Sequence, residues 1–454
     1  MGKLIIFFFL FNFNIFGFSP ENIFQDDLTL KDTLSFFQKI LNNPLRNKKD
    51  FHSFLADPKN KVSDTFKVTK ELRSRVIFWY DIYTKYNSHQ RVLHDIDNLG
   101  LIYDVVDFSE LSNNNLNKNT IFGLQNKFME GVIRDYKISF QKLAKGNCSL
   151  EKCKTIVKAL KKSKIVIPKS TNNRGNFFRN LSKKLRAQTG QKNHVHQGLL
   201  NISNYRSSIN EIFSQFKLPK ELLAISFLES SFNINAVSKV NATGPWQFMK
   251  HIGKHFLTIS KYQDQRKSAL LSTIGALHLL KQNKQILKRW DLAVNAYNSG
   301  TGLIRKGVKA LKRRGFKKPL IQDLIRKFKN PNWGFAAKNF YAEFLAMVYS
   351  LAYKEEIFQT DSDLEKNNKV FIYLTKCKLP LLKVLRSMKQ TKLNLIKFNN
   401  HLNKNIKYFP RSTVVISDTK LDSRKYLLIK PKEYAIRYPK KYYKLLKNQS
   451  CSIK

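Results

Sequence analysis

Acidic residues are scarce in this chain of 454 residues: 32 Asp and Glu stand against 82 Lys and Arg, a formal net charge of 82 − 32 = +50. So large an excess points to an acidic partner, such as nucleic acid, anionic lipid or an acidic polymer. The lysines are spread along the whole chain rather than clustered. That keeps open a second reading, a lysine-rich codon bias decorating solvated faces. Cysteine is also scarce. Four cysteines are too few for a disulfide scaffold. Cys148 and Cys153 are spaced to pair in an oxidising compartment, whereas Cys377 and Cys451 read as isolated. Long apolar runs are absent beyond the first twenty residues, so no later segment reads as a membrane span. There is no glycine-rich phosphate loop, no G-x-S-x-G and no internal repeat. His251 and His255 are four apart, but Ile252 stands where a zinc protease needs glutamate. Neither a cofactor nor a metal is expected.

What is present reads as a mainly α protein of several parts. Lys3 followed by an apolar run over 4–18 has the form of an export signal over 1–19, although Pro20 disfavours a cut immediately before it. Residues 20–160 read as a helical region, with Val76, Phe78, Trp79, Ile82 and Tyr83 forming a buried stripe. Residues 161–204 are basic and polar, with a loop at 172–175, and read as a linker and lead-in. Over 205–358 the texture changes. Pro219 suits a first helical turn, and the following run to Glu229 is apolar almost all round, which predicts a buried helix. Further helices are expected over 268–282, from Asp291 to a glycine stop at Gly300, and over 336–353. Residues 369–420 read as a small α+β module: strands at 371–374 and 414–416, with short helices at 381–388 and 393–398 between them. A basic, aromatic tail occupies 421–454.

The most informative residue is Glu229, a carboxyl closing a helix with no exposed face. Burial raises a carboxyl pKa, as a general acid near neutral pH requires. The competing reading is a helix-terminal Glu turned to solvent. Glycosidases usually flank the scissile bond with two carboxylates, yet no Asp or Glu occurs between Glu229 and Asp264. That interval instead offers Ser238 and the loop Gly244-Pro245-Trp246-Gln247-Phe248-Met249. The loop combines an aromatic platform, an amide and a soft apolar contact, a mixture found at sugar sites and in packed turns.

Glu229-Ser230, then Ser238, Gly244, Gln247 and Met249, then Ala296-Tyr297-Asn298-Ser299-Gly300, resemble the soluble and membrane-bound lytic transglycosylase (SLT) catalytic domain. Among its members they are most similar to the D-type murein transglycosylases. The likeness covers 205–358, and Arg186-Ala187-Gln188-Thr189-Gly190 is similar to a stretch that precedes the domain. The resemblance implies a goose-lysozyme-like fold and cleavage of the bond between N-acetylmuramic acid and N-acetylglucosamine in peptidoglycan glycan strands. It makes Glu229 the catalytic acid and base. Ser238 would contact the muramic acid, Gln247 and Met249 would line the cleft, and Tyr297 and Asn298 would shape its floor. Tyr341 matches a tyrosine that a late helix brings into the cleft, where it would contact the substrate. Two positions depart from the pattern: Ile234 replaces a common proline, and Ala337 stands where many relatives carry Glu. Residues 371–417 faintly resemble a LysM-type glycan-binding module, the alternative being a packing appendage.

Such an enzyme would sit in the periplasm or cell envelope, with peripheral membrane contact and no nucleic-acid partner; the oligomeric state is not legible. Rival readings are a muramidase hydrolysing the same bond, a murein binder without activity, and a cationic membrane- or nucleic-acid-binding protein. The first thirty residues, fused to a reporter active only outside the cytoplasm, are expected to score positive. A silent reporter on a well-expressed fusion would remove both the address and a wall substrate.

Overall fold

The computed structural model describes residues 50–112, 117–360, 371–375 and, in short pieces, part of 378–429. The export signal, all but the last residue of the helix read at 393–398, Cys377, Cys451 and nearly all of the tail lie outside the described residues. The chain divides into two units. One runs up to Val195 and includes Leu345–Tyr353; the other comprises His196–Phe344 and the residues from Lys354 onward.

The first unit is not purely helical. After α1 (Arg73–Thr84) come β1 (Gln90–Asp95) and β2 (Ile102–Asp107), then α2 (Lys118–Lys145), α3 (Glu151–Lys162), α4 (Thr171–Lys183) and β3 (Leu185–Thr189). The sheet order is β2-β1-β3, antiparallel throughout, with Val92 opposite both Val105 and Gln188. Every residue of β1 is buried, because helices cover both faces of the central strand. Leu93 and Tyr103 pack with Tyr136 and Phe140 of α2, Ile156 and Leu160 of α3 and Phe178 of α4. On the other face the His94 ring lies 4.5 Å from Phe78 of α1. Burial pushes the His94 imidazole down to about 3.

The stretch 161–204, read as a linker, is folded. It contains α4, β3 and α5 (Lys192–Ile202), and the loop expected at 172–175 is the first turn of α4. Its basic composition hid a narrow apolar stripe, of which Phe178 is 1% exposed. The lead-in at 186–189 is the edge strand β3. Gly146 ends α2 in the left-handed region, at φ 85°. Just beyond it Cys148 and Cys153 form a disulfide, with Cα atoms 6.3 Å apart.

The second unit is mainly α, as expected. Its described helices are α6 (Arg206–Phe216), α7 (Ala224–Ser230), α8 (Lys250–Phe256), α9 (Ala269–Leu287), α10 (Trp290–Ser299), α11 (Thr301–Arg313) and α12 (Ile321–Lys327). Helix α13 (Phe335–Ala352) belongs to this unit through Phe344, and α14 (Lys354–Phe358) follows. Helix α9 is buried all round over Ala269–Leu277 and exposes Lys281, Gln282, Gln285 and Ile286 in its last turns. Ser268 caps it, accepting the Leu271 N–H. Helix α10 stops at Gly300, φ 77°.

Beyond residue 370, β4 (Phe371–Thr375) pairs antiparallel with β7 (Val414–Ser417), and β8 (Leu428–Ile429) adds a third strand. A separate pair joins β5 (Leu379–Pro380) to β6 (Tyr408–Phe409). This segment is stitched to the turn at 260–264. The Asp264 N–H donates to the His401 carbonyl at 2.7 Å, and the Asn403 N–H donates to that of Tyr262 at 2.9 Å. His401 is 1% exposed, and its Nε2 donates to the Val414 carbonyl at 3.1 Å. Removing everything after residue 360 should therefore open the 260–264 turn and lower the melting temperature by several degrees, at ~2–4 °C per kcal/mol for a unit of this size. A thermal melt of the truncated chain checks this; an unchanged melting temperature would make the segment an independent module.

Candidate functional site

The site begins with α7. Ile225, Ser226, Phe227 and Leu228 are each no more than 2% exposed, so the helix is buried all round, as its composition predicts. Glu229 falls in its last turn. The chain then leaves through two successive non-glycine residues in the left-handed region, Ser231 (φ 51°) and Phe232 (φ 53°). Such a conformation costs about 1–3 kcal/mol per residue. The turn is nonetheless held, because the Phe232 ring is fully buried between Phe227 and Tyr205. Strain of this kind at the end of a buried helix fixes where Glu229 sits.

The Glu229 side chain makes no hydrogen bond or ion pair among the described residues. The residue keeps part of its surface in contact with solvent, but its carboxyl is enclosed by protein, and this burial pushes its pKa up to about 8. It is therefore a protonated, unpaired acid at neutral pH.

The loop over 236–248 packs against the end of α7. The Ser230 hydroxyl donates to the Pro245 carbonyl at 3.0 Å. Thr243 and Phe248 exchange both backbone hydrogen bonds. Gly244, at φ 78°, must be glycine: a Cβ there would lie 1.8 Å from the Arg266 carbonyl oxygen. The indole of Trp246 is 0% exposed and donates to the Thr273 hydroxyl at 2.9 Å. That corrects the sequence reading of an aromatic platform: Trp246 belongs to the frame of the loop and offers no face to a sugar.

Gln247 is half-buried with φ 45°. Its amide N–H donates to the Gly244 carbonyl at 2.8 Å, so its nitrogen ties the loop while Oε1 accepts nothing among the described residues. Ser238 is half-buried in the neighbouring turn, where its Oγ accepts the Ala242 N–H at 3.0 Å and retains its own proton to donate. Met249, also half-buried, is the residue from which α8 starts. His251 and His255 are exposed on α8.

The last turn of α10 supplies Tyr297 and Asn298. The Tyr297 hydroxyl donates to the Trp246 carbonyl at 2.7 Å. Its pKa is driven well up by burial and by the charge that Glu229 would carry, which places Tyr297 beside the glutamate. Asn298 is half-buried, and its side chain makes no hydrogen bond among the described residues. Tyr341 differs from the others. It is 5% exposed on α13 and stacks on Phe344. Burial raises its pKa; the Asp291 charge adds to this and Arg289 opposes it. Asp291 is in the first turn of α10, six residues or about 9 Å of helix away from Tyr297. Thus the structure joins Glu229, Tyr297 and the loop, while the charges acting on Tyr341 belong to the opposite end of α10.

A residue that sequence reasoning missed holds this arrangement. Arg266, 7% exposed, forms a fork on Asp264 (Nε to Oδ1 3.0 Å, Nη2 to Oδ2 2.7 Å) and donates from Nη1 to the Asn241 and Phe248 carbonyls, both at 3.0 Å. The only hint in sequence was that the acid-free stretch ends at Asp264, two residues before Arg266.

A buried, unpaired helix-terminal carboxyl faced by a pinned loop and a tyrosine is the arrangement of an acid–base site. Residues 209–319 match the family model of the transglycosylase SLT domain, whose fold is the all-α, lysozyme-like one. The chain is 33% identical over 126 residues to membrane-bound lytic murein transglycosylase D of Escherichia coli (strain K12), and equally to that of strain CFT073 of serotype O6:H1. It is 34% identical over 109 residues to a protein of Alteromonas sp. (strain M-1) named for tributyltin chloride resistance. These matches cover 27%, 27% and 24% of this chain, and 28%, 28% and 52% of the respective relatives. The chain thus spans less than a third of the two murein transglycosylases.

Replacing Arg266 with Leu would leave the Asp264 carboxylate and two carbonyls without their partner. A loss of about 3–5 kcal/mol is expected, as when one member of a buried ion pair is removed. Urea unfolding measures it; a loss under ~1 kcal/mol would show that the loop does not depend on this side chain.

Proposed function

We propose that this chain is a peptidoglycan lytic transglycosylase, cleaving the bond between N-acetylmuramic acid and N-acetylglucosamine without water and leaving 1,6-anhydromuramic ends. The observation that carries this reading is the enclosed carboxyl of Glu229, on which no second carboxylate acts among the described residues. The next acid along the chain, Asp264, is locked on Arg266. Asp291 is engaged by Arg289 and by the Ile321 N–H. A hydrolase would need a second carboxylate to activate water.

In the proposed reaction Glu229 donates its proton to the departing glycosidic oxygen, and the substrate's own acetamido group steadies the cationic anomeric carbon. The resulting carboxylate then takes the proton of the sugar's 6-hydroxyl, whose oxygen closes on the anomeric carbon. One proton leaves Glu229 and one returns, so the acid is regenerated without water. Tyr297 stands where its dipole acts on both charge states. Ser238, the free Oε1 of Gln247, Met249 and Asn298 are assigned to substrate contact, and Tyr341 to the support of α10. Export to the cell envelope is part of the proposal. It is supported by the form of residues 1–19 and by the Cys148–Cys153 disulfide, a bond that persists in oxidising compartments. The division into a lead region, a catalytic domain over 205–358 and a C-terminal module belongs to the same proposal.

The decisive experiment is mass spectrometry of muropeptides released from purified sacculi by the wild type and by Glu229→Gln. The wild type should give muramic ends lighter by one water than a hydrolytic product. The variant should lose about a hundred- to ten-thousand-fold in rate. Because the acid must start protonated, the wild-type rate should hold through neutral pH and fall as pH rises past about 8. Reducing ends would make the protein a muramidase, and undiminished activity of the variant would remove Glu229 from the chemistry.

A further inference from the structure

A basic groove of the second unit lies apart from Glu229 and Tyr297. A groove of about 800 Å³ is bounded by the end of α9, the following turn, α11 and the turn after it. Eight of its fourteen lining residues are cationic and none is acidic. Arg305, Lys306, Lys309 and Lys312 come from α11, and Lys317 and Lys318 from the turn beyond; Lys288 and Arg289 close the other side. All eight are exposed. Arg289 pairs with Asp291; the other seven make no ion pair among the described residues. Holding so many like charges around one concavity is costly unless an anion enters it.

The floor of the groove narrows the choice of anion. Leu287, Leu292 and Pro319 are buried beneath the cations, so the apolar surface open to a ligand is that of half-buried Val308 and of Ile286, 42% exposed at the edge. A wholly hydrophilic polyanion gains nothing from those apolar surfaces, whereas the glycerol and upper acyl region of a lipid does. Helix α11 cannot itself insert among acyl chains, because Ile304, Gly307 and Leu311 on its other face are buried in the domain. Its contact with a lipid is therefore confined to the headgroup layer, where each Lys or Arg near an anionic surface contributes to attachment.

We propose that this groove seats anionic phospholipid head groups and holds the second unit peripherally on a membrane surface. None of its lining residues belongs to the Glu229 cluster, so the proposal does not depend on the catalytic reading.

The test uses the full chain and vesicles of phosphatidylcholine with or without phosphatidylglycerol, read by co-sedimentation. The groove variant is Lys306→Gln, Lys309→Gln, Lys312→Gln. A control variant removes three exposed lysines of α2, as Lys137→Gln, Lys142→Gln, Lys145→Gln, and has the same net charge. The wild type should bind the anionic vesicles, ignore pure phosphatidylcholine and dissociate at high salt. The groove variant should lose on the order of a hundredfold in affinity, and the control variant under tenfold. A thermal melt verifies that the groove variant is folded; should it not be, Lys309→Gln alone is expected to lose about fivefold. Equal losses in the two triple variants would reduce the effect to net charge and overturn the proposal. Soluble polyphosphate that binds as tightly, phosphate for phosphate, as the anionic vesicles would overturn it too, by making the occupant a polymer.

Discussion

The arrangement around Glu229 depends on one guanidinium. Arg266 gathers the Asn241 and Phe248 carbonyls of the 236–248 loop and the Asp264 carboxylate beside it in sequence, and a planar fork of N–H donors is the side chain able to satisfy them together. A lysine could reach one or two of these acceptors as a point charge. The loop so closed puts Gly244 against the Arg266 backbone, tucks Trp246 onto Thr273 and presents the Trp246 carbonyl to Tyr297. Through Asp264, whose N–H reaches the His401 carbonyl, the same clamp extends to the C-terminal strands. Catalytic geometry and the anchoring of that segment are therefore one mechanical problem.

The second constraint is electrostatic and works by exclusion. Of 82 basic side chains, none forms an ion pair with Glu229 among the described residues. A lysine or arginine close by would stabilise the carboxylate and pull its pKa down, removing the proton at neutral pH. Burial pushes the other way, and here nothing opposes it. Asp264 and Asp291, by contrast, are each paired with an arginine.

The sequence made some of this legible and hid the rest for identifiable reasons. Helix α7 and the first half of α9 were readable because apolar runs leave them no exposed face, and the end of α10 because glycine marks it. Glu229 stood out because a carboxyl closes such a run. The strands β1 to β3 were missed because each is five or six residues long, too short for a periodic signal to outweigh basic and polar composition. Helix α4 was missed because a narrow stripe around Phe178 suffices when neighbours supply the core. Trp246 was misread because a loop composition cannot show which side of an aromatic residue faces inward. Arg266 carried no motif at all: its role arises from loop carbonyls some way back along the chain, at Asn241 and Phe248, which only the folded chain brings to it.

The position of Trp246 has an optical consequence. The chain has four tryptophans, and this one is fully enclosed, hydrogen-bonded through its ring nitrogen, with its own carbonyl held by the tyrosine beside the acid. Its fluorescence answers to whether that enclosure is intact, since no solute can touch the ring without the loop first opening. The protein has thus built a light-sensitive gauge into the wall beside its enclosed acid, one that registers the condition of that wall.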